Sequence, residues 1–362
     1  MGSAGMGARL AVNVLASLVA LPPLWVGGVE AVEPHQDSAR LILGDAREIT
    51  AEAAVYQPAD LAIGPDGGVV IADWGASELI KISAAGEVLW RAGKKGDGPG
   101  EFQVLTRVAV SPAGQIVAFD AGRQRVSWFT PAGEFLHSGY LPTRMRPLDD
   151  LVALPGGFIA ISGVPATIGR FAIRVFDAEL EPVRAFAPLP EVEYDRTLFS
   201  WGAGAINVTA AGHLLYTRRL PHEIYEYSVD GEVIQRIEAP YDFDTTPDNS
   251  VVETVVDGRA VVSQAPGFVP RPMPAEDLGD GWFLGGVVTA SDHREGTWSL
   301  FYRGALVSTQ AVINGWAHLV GVDRERRLIY FAGDTDDGNT AILQVPYRVE
   351  RGNTAATQTH GR

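Results

Sequence analysis

Apolar and polar positions alternate along residues 58–136 in a pattern that occurs twice. The apolar triplet Leu61–Ile63 is followed 47 residues later by Val108–Val110, and Asp73 and Asp120 have the same spacing. Each copy runs from its triplet through a glycine turn to a β-rich segment that ends in the aspartate. A third strand, an Ala-Gly-Glu turn and a last strand complete each copy. This order predicts a four-stranded antiparallel meander.

A sequence period of this length, with one meander in each copy, is typical of the blades of a β-propeller. Looser copies of the same pattern follow at 149–162, 172–186, 206–216, 223–237, 281–287, 298–302, 305–313, 319–332 and 341–347. We therefore predict an all-β fold over residues 40–350, a six-bladed β-propeller of four-stranded antiparallel blades. The innermost strand of the fifth blade is not identifiable in the sequence.

Two segments stand outside the repeat. Leu41–Ile49 is strand-like and precedes the first blade, while the sixth blade lacks an outer strand. We expect the two to pair and close the ring, since an open ring would expose strand edges. Residues 241–278 are predicted to be an insertion between blades four and five. Pro247 at a helix start and valines at 3.6-residue spacing from Val251 to Val256 predict a short helix within it.

The chain begins with the pattern of a secretory signal. Arg9 precedes the apolar run Leu10–Val26, and small residues at Val29 and Ala31 suit signal peptidase. We assign residues 1–31 to a signal peptide, with an uncleaved anchor as the alternative, and expect a periplasmic or secreted protein with no stable membrane insertion after cleavage. The polar segment 351–362 is predicted to be a disordered tail.

Composition excludes several classes of function. The chain has no cysteine, which rules out disulfides, thiolate metal sites and a cysteine nucleophile. Its formal net charge is −15, and no basic stripe of the kind that nucleic acids require is present. We expect no nucleic-acid partner, and we expect a monomer.

The connection between the first two copies carries a family resemblance. Gly93–Phe102 reads GKKGDGPGEF and resembles the connection between blades in NHL repeats, which ends in Gly-Glu-Phe. Val70–Asp73 and Ile116–Asp120 resemble the second strand of that repeat. The resemblance implies a six-bladed propeller like bacterial exported proteins of unassigned role. It covers about 80 residues closely, and the glycines have a structural use, because they permit positive φ where the chain crosses between blades.

Strand parity places the last-to-first and second-to-third loops at one face of the propeller, and we expect the binding site there. Its ligand-binding candidates are Asp60, Trp74, Arg107, Arg123, Asp149, Trp201, Arg219 and His222. Asp120, Arg144, Arg146 and Asp150 fall on the same face. Arginine binds a carboxylate through two hydrogen bonds, and tryptophan offers a flat apolar contact. Asp73 and Asp120 are expected to cap turns through bonds to the backbone.

No complete catalytic motif is present. Only His222 and His318 are expected near a common axis, which disfavours the histidine zinc site of NHL-like lyases. Asp334–Asn339 resembles a calcium loop but has Val345 where the loop needs a glutamate. We expect no cofactor, with calcium or zinc left open. His222–Glu226 lacks the second histidine of a zinc protease, and no Gly-x-Ser-x-Gly occurs.

Two functions remain. The first is a binding module outside the cytoplasm that recognises a protein, peptide or glycan on its loop-rich face. The second is a metal-assisted hydrolase or lyase, lactonase-like, with its site at the central axis. Convergence of Asp60, Asp149, Asn207 or His222 on the axis would favour the enzyme, and we expect the binding module.

Overall fold

The chain folds as a six-bladed β-propeller in which every blade is a four-stranded antiparallel sheet. The structure is a computed structural model that describes residues 39–50, 53–166, 170–189, 203–219, 222–237, 251–256, 259–264, 271–288, 296–312, 320–334 and 340–351. The predicted fold class is confirmed. The described residues contain one 3-10 turn at Pro155–Gly157 and no α-helix.

Two short strands precede the first blade, β1 (Ala39–Leu43) and β2 (Arg47–Glu48). Blade one consists of β3 (Pro58–Ile63), β4 (Val69–Asp73), β5 (Glu78–Ile82) and β6 (Val88–Ala92). Blade two consists of β7 (Leu105–Val110), β8 (Ile116–Asp120), β9 (Arg125–Phe129) and β10 (Phe135–Tyr140). Blade three consists of β11 (Met145–Ala153), β12 (Ile159–Pro165), β13 (Phe171–Phe176) and β14 (Pro182–Pro188).

The remaining strands repeat this order after one interruption. Blade four consists of β15 (Gly204–Val208), β16 (Leu214–Arg218), β17 (Glu223–Tyr227) and β18 (Val233–Ile237). A separate two-stranded sheet follows, of β19 (Val251–Val256) and β20 (Arg259–Gln264). Blade five consists of β21 (Arg271–Gly279), β22 (Trp282–Val288), β23 (Gly296–Tyr302) and β24 (Ala305–Val312). Blade six contains β25 (Val320–Asp323), β26 (Leu328–Asp334) and β27 (Thr340–Arg351).

The ring closes through the N-terminal segment. β1 pairs antiparallel with β27 over its whole length, with Leu41 opposite Val349, and β2 continues the pairing with Arg47 opposite Gln344. β1 is therefore the fourth strand of blade six, and the predicted closure is confirmed. The innermost strands contact one another in sequence around the axis, and β25 contacts β3. Closure therefore gives blade six its fourth strand and completes the ring.

Two buried aspartates fix the start of each innermost strand in the first two blades. The Asp73 carboxylate ends β4 and accepts bonds from the backbone amides of Tyr56 and Gln57, 2.8 and 3.0 Å away, just before β3. Asp120 holds Gln103 and Val104 in the same way, at 2.9 Å each. Both carboxylates also cap the turn that follows them. The predicted capping role is confirmed, because these bonds recur with the 47-residue spacing of the repeat.

The hydrophobic core lies between the faces of adjacent blades. Val70 and Leu79 of blade one pack with Val108 and Ile116 of blade two, and Phe102 closes the same cluster from the connection between them. Every residue of β4 and of β8 is buried, as expected for strands covered on both faces. The glycine-rich connection therefore anchors the apolar cluster that joins two blades.

The helix predicted over Val251–Val256 is wrong. These residues form β19, which pairs antiparallel with β20 in register from Val251 opposite Gln264 to Val256 opposite Arg259. Valine is β-branched and favours strands, and its spacing here fits either periodicity. The sequence Asp257-Gly258 between the strands is a strong hairpin signal that the helical interpretation overlooked.

The missing innermost strand of blade five is β21, within the predicted insertion at 241–278. Pro272 and Pro274 lie inside it, and the prolines hid it from the sequence pattern. An innermost strand has a partner on one side only, which here is β22. Proline is tolerated on such an edge strand because no partner needs its missing N–H.

The terminal predictions fall largely outside this structure. The predicted signal at 1–31 lies outside the described residues, as does the predicted tail at 351–362 apart from Arg351, which ends β27. Over the described part of the chain, no helix has the length and apolar character needed to cross a membrane.

Candidate functional site

The innermost strands β3, β7, β11, β15, β21 and β25 surround the central axis. We call the face formed by the last-to-first and second-to-third connections the upper face, and the face formed by the first-to-second turns the lower face. Polar and charged side chains on these strands, or close to them, meet at two levels. The upper cluster consists of Asp60, Arg107, Asp149, Asp150 and Arg219, and the lower cluster consists of Asn207, Glu276, Asp277 and Arg324.

Asp149 is the centre of the upper cluster. Only 4% of its side chain is exposed, and its carboxylate accepts bonds from the backbone amides of Ala203 and Gly204. A guanidinium nitrogen of Arg219 lies 3.8 Å from its other oxygen, and Arg107 Nε donates to its carbonyl oxygen at 2.7 Å. Burial raises the pKa of Asp149, against the opposing effect of Arg219. Asp149 thus joins blades two, three and four.

Asp60 of blade one and Asp150 of blade three each bond to the innermost strand of the next blade. Asp60 accepts a bond from the Val108 amide at 2.9 Å, and Asp150 accepts one from the Ile206 amide at 3.1 Å, each across a blade boundary. Burial raises the pKa of Asp60 to about 7 and that of Asp150 to about 6, and Arg107 opposes both shifts. The two carboxylates also act on each other, since the charge of Asp150 raises the pKa of Asp60.

The lower cluster joins blades four, five and six. Asn207 Nδ2 donates at 3.0 Å to a carboxylate oxygen of Glu276, and burial raises the pKa of that carboxyl well above its ordinary value. Asp277 accepts a bond from the Ala210 amide at 2.6 Å. Arg324 donates to the Val208 carbonyl at 2.9 Å and lies 3.6 Å from the Asp277 carboxylate.

Through these contacts the residues of the two clusters hold neighbouring blades together. Side chains of the two clusters bond to the innermost strand of a neighbouring blade at five successive boundaries, from blade one to blade six. The innermost strands have no sheet partner on the axial side, and these side chains satisfy backbone groups there that would otherwise be unpaired. Any ligand role for these residues is therefore additional to holding the blades together.

A central cavity of about 910 Å3 lies along the axis. All six innermost strands contribute to its wall, from Asp60 and Asp150 to the first-to-second turns. The turns that line it include Gly64-Pro65, Ser111-Pro112 and Asp323–Arg327. Its volume is at the upper end of the range for small-molecule sites. The cavity is associated with the lower face, whereas the site predicted from the sequence lies on the upper face.

The structure brings together four of the eight predicted ligand residues, which are Asp60, Arg107, Asp149 and Arg219. Trp74 lies apart from them on the upper surface and is 49% exposed. Arg123 is also on the surface, where its Nε donates to Asp97 at 2.7 Å. Trp201 lies outside the described residues.

The remaining predicted residue, His222, is half-buried at the start of β17. Burial lowers its pKa to about 4, against the opposing effect of Glu223. The sequence pattern did not indicate Glu276 or Arg324 as site residues. Glu276 lies in the proline-containing strand that escaped recognition, and Arg324 follows the short strand β25.

In the part of the chain that the structure describes, no three His, Asp or Glu side chains are placed to hold one metal ion. His213 instead contacts the Glu226 carboxylate, at 2.7 Å from Nδ1. The calcium-like sequence after Asp334 lies outside the described residues. Asp60, Asp150 and Glu276 remain distributed around the axis rather than gathered at one point.

Comparison with solved structures supports the fold alone. A DUF4221 family member from Bacteroides vulgatus is 9% identical, with a TM-score of 0.60 over 88% of this chain and 100% of that one. A candidate exported protein from Bacteroides fragilis is 13% identical, with a TM-score of 0.57 over 85% and 95%. A gluconolactonase from Xanthomonas campestris is 16% identical, with a TM-score of 0.50 over 89% and 98%. No family model and no curated protein sequence matches the chain.

Proposed function

We propose that this protein is a binding module that acts outside the cytoplasm and recognises a protein, peptide or glycan through its upper face. The observation that carries the proposal is the upper cluster, where side chains from separate blades meet beside the axis. Arg107 and Arg219 present guanidinium groups there, and Trp74 adds a half-exposed indole on the same face. A rigid scaffold that displays such groups at its loops is the usual basis of recognition by a propeller.

The location outside the cytoplasm rests on the sequence of residues 1–31, and the candidate exported protein among the similar structures is compatible with it. Expression in a Gram-negative host followed by mass analysis of the periplasmic fraction tests it. We expect an N-terminus close to residue 32. A full-length product retained with the membrane would instead support the anchor.

The binding role is tested with an array of glycans and peptides probed by the purified protein. We expect ligands whose binding is weakened at least tenfold by Trp74→Ala or Arg219→Ala. The matched control is Leu89→Ala, because Leu89 is 51% exposed and lies on the outer strand β6, away from the axis. Binding that Leu89→Ala weakens as much as Trp74→Ala does would contradict the proposed site.

The second candidate is a metal-assisted hydrolase or lyase, and the gluconolactonase among the similar structures is the observation that keeps it open. Elemental analysis of the purified protein distinguishes the two. Stoichiometric zinc or calcium, together with loss of thermal stability in chelator, would favour the enzyme over the binding module.

A further inference from the structure

The central cavity shares Asp60 and Asp150 with the upper cluster, but most of its wall is not used by the binding role at the upper face. Acidic side chains in its wall outnumber arginines by six to three among the described residues. The acids are Asp60, Asp150, Glu276, Asp280, Asp323 and Glu325, and the arginines are Arg324, Arg326 and Arg327. The wall therefore carries an excess of acidic groups. Burial raises the pKa of Asp60, Asp150 and Glu276, so a positively charged ligand would bind as these carboxyls give up their protons.

The arginines nearest to the axis are already engaged with other groups. Arg324 bonds to Val208 and lies beside Asp277, and Arg326 pairs with Asp323 at 2.9 Å. Arg107 directs Nε and Nη1 to backbone carbonyls, each at 2.7 Å. Among the ion pairs of the described residues, none includes Asp60, Asp150 or Glu276.

Glu276 offers a hydrogen-bond acceptor to a molecule in the cavity. Its side chain lines the cavity and the residue is 6% exposed. Asn207 donates to one carboxylate oxygen, and no described residue donates a hydrogen bond to the other. That second oxygen is not among the fully buried side-chain atoms that lack a partner, so it can accept a hydrogen bond from a molecule in the cavity. A donor supplied by a ligand in the cavity would satisfy it.

Part of the remaining wall is aliphatic. Ala62, Val110, Val152 and Val208 line the cavity between the acids and are half-buried, which leaves part of each side chain open to the cavity. Asp60, Asp150 and Glu276 come from blades one, three and five, and no three acids of the described residues are placed to share one metal ion. Separated carboxylates with aliphatic surface between them match a molecule that has separated cations joined by methylene groups.

We infer that the central cavity binds an aliphatic diamine or polyamine, whose ammonium groups lie against Asp60, Asp150 and Glu276 and whose methylenes contact the aliphatic wall. Ammonium groups donate three hydrogen bonds each and pair well with buried carboxylates. The ligand reaches the cavity from the lower face, between the first-to-second turns. The net charge of −15 favours the approach of a cation.

Isothermal titration with spermidine and 1,6-diaminohexane tests this inference. We expect one saturable site in the wild-type protein and no binding of 1,6-hexanediol, which has the same chain without charge. Glu276→Gln keeps the oxygen that Asn207 contacts and removes the charge, and Asp150→Asn removes a second charge. Each should weaken binding at least tenfold, whereas Asp45→Asn, at an exposed site away from the axis, should leave it unchanged.

A further variant tests the site without altering the buried charges. Ala210 is exposed and lies at the lower rim of the cavity, so Ala210→Trp should weaken or slow binding while the fold is kept. Titration near pH 6.5 in two buffers of different ionisation enthalpy should show proton release, since the carboxyls must ionise to hold the cation.

Three results would overturn the inference. They are the absence of saturable binding by the wild-type protein, equal affinity for Mg2+, and equal affinities in Glu276→Gln, Asp150→Asn and Asp45→Asn. The outcome is separate from that of the upper-face proposal, because Trp74→Ala should not alter amine binding and Glu276→Gln should not alter binding at the loops.

Discussion

Removal of the Asp73 carboxylate should destabilise the protein strongly, because one side chain holds together two separate turns. The residue has no exposed surface, and its carboxylate accepts backbone hydrogen bonds from Tyr56, Gln57, Gly75 and Ala76 at 2.8 to 3.3 Å. Hydrogen bonds to charged groups contribute about 1.5–3 kcal/mol each to stability. Tyr56 and Gln57 are exposed, so water can replace part of that loss at their amides.

We therefore expect Asp73→Ala to lower the free energy of unfolding by about 3–5 kcal/mol. Asp73→Asn should lose about half as much, since it keeps one acceptor oxygen. Asp120 makes three equivalent bonds one repeat later and lies 3.9 Å from the buried Arg125 guanidinium, so Asp120→Ala should also lower the free energy of unfolding by about 3–5 kcal/mol.

Urea denaturation followed by circular dichroism and tryptophan fluorescence measures these differences. The matched control is Asp230→Ala, which removes an exposed carboxylate paired with Arg184 at 2.6 Å and should cost less than about 1 kcal/mol. The reasoning would be refuted if Asp73→Ala cost no more than the control. It would also be refuted if Asp73→Asn were as stable as the wild-type protein.

Three further predictions concern ring closure, the axial carboxylates and the backbone. Leu41→Ala, in the closing strand β1, should lower stability by about 2–4 kcal/mol in thermal unfolding, whereas the exposed Arg40→Ala should change it little. The folded-state pKa of Asp60 is about 7, against an ordinary value of 3.8. The stability that Asp60 contributes is therefore complete below about pH 4 and is lost as the pH rises to about 7. Asp60→Asn should flatten the dependence of stability on pH over that interval, and an unchanged slope would argue against the shift. Gly204→Ala should destabilise the protein by more than about 3 kcal/mol, because φ is +134° and a Cβ would overlap a carbonyl oxygen of β16. Gly212→Ala, where φ is +80° and no atom lies within 4 Å of the added Cβ, should cost about 1 kcal/mol. Equal losses in urea denaturation would show that the overlap is not decisive.

The parts of the fold that the sequence predicted correctly depend on local patterns. Blades one and two were identified because each strand is adjacent to the next, so that four strands and three turns fall within a single 47-residue period. Asp73 and Asp120 could be assigned to turns because side chains of this kind bond to backbone only a few residues away. The closing strand β1 was predicted by elimination, since blade six lacked an outer strand.

The errors have equally local causes. Valine spacing from Val251 to Val256 fits both a helix and a strand, and the pairing with β20 decides the outcome. Pro272 and Pro274 contradict an ordinary strand, yet β21 lies at the axis where one edge needs no partner. A pattern read one residue at a time contains no information about which strand edge is left unpaired.

The sequence by itself determined the class of fold, the blade unit and the turn-capping aspartates, because hydrophobic period and turn chemistry act over a few residues. Only the tertiary structure decided which charged side chains meet. Asp60 and Arg107 occupy equivalent positions 47 residues apart, and nothing local indicates that they join Asp149 beside the axis or that Glu276 lies in the cavity below. Those contacts cross blade boundaries, so they exist only once the ring has closed.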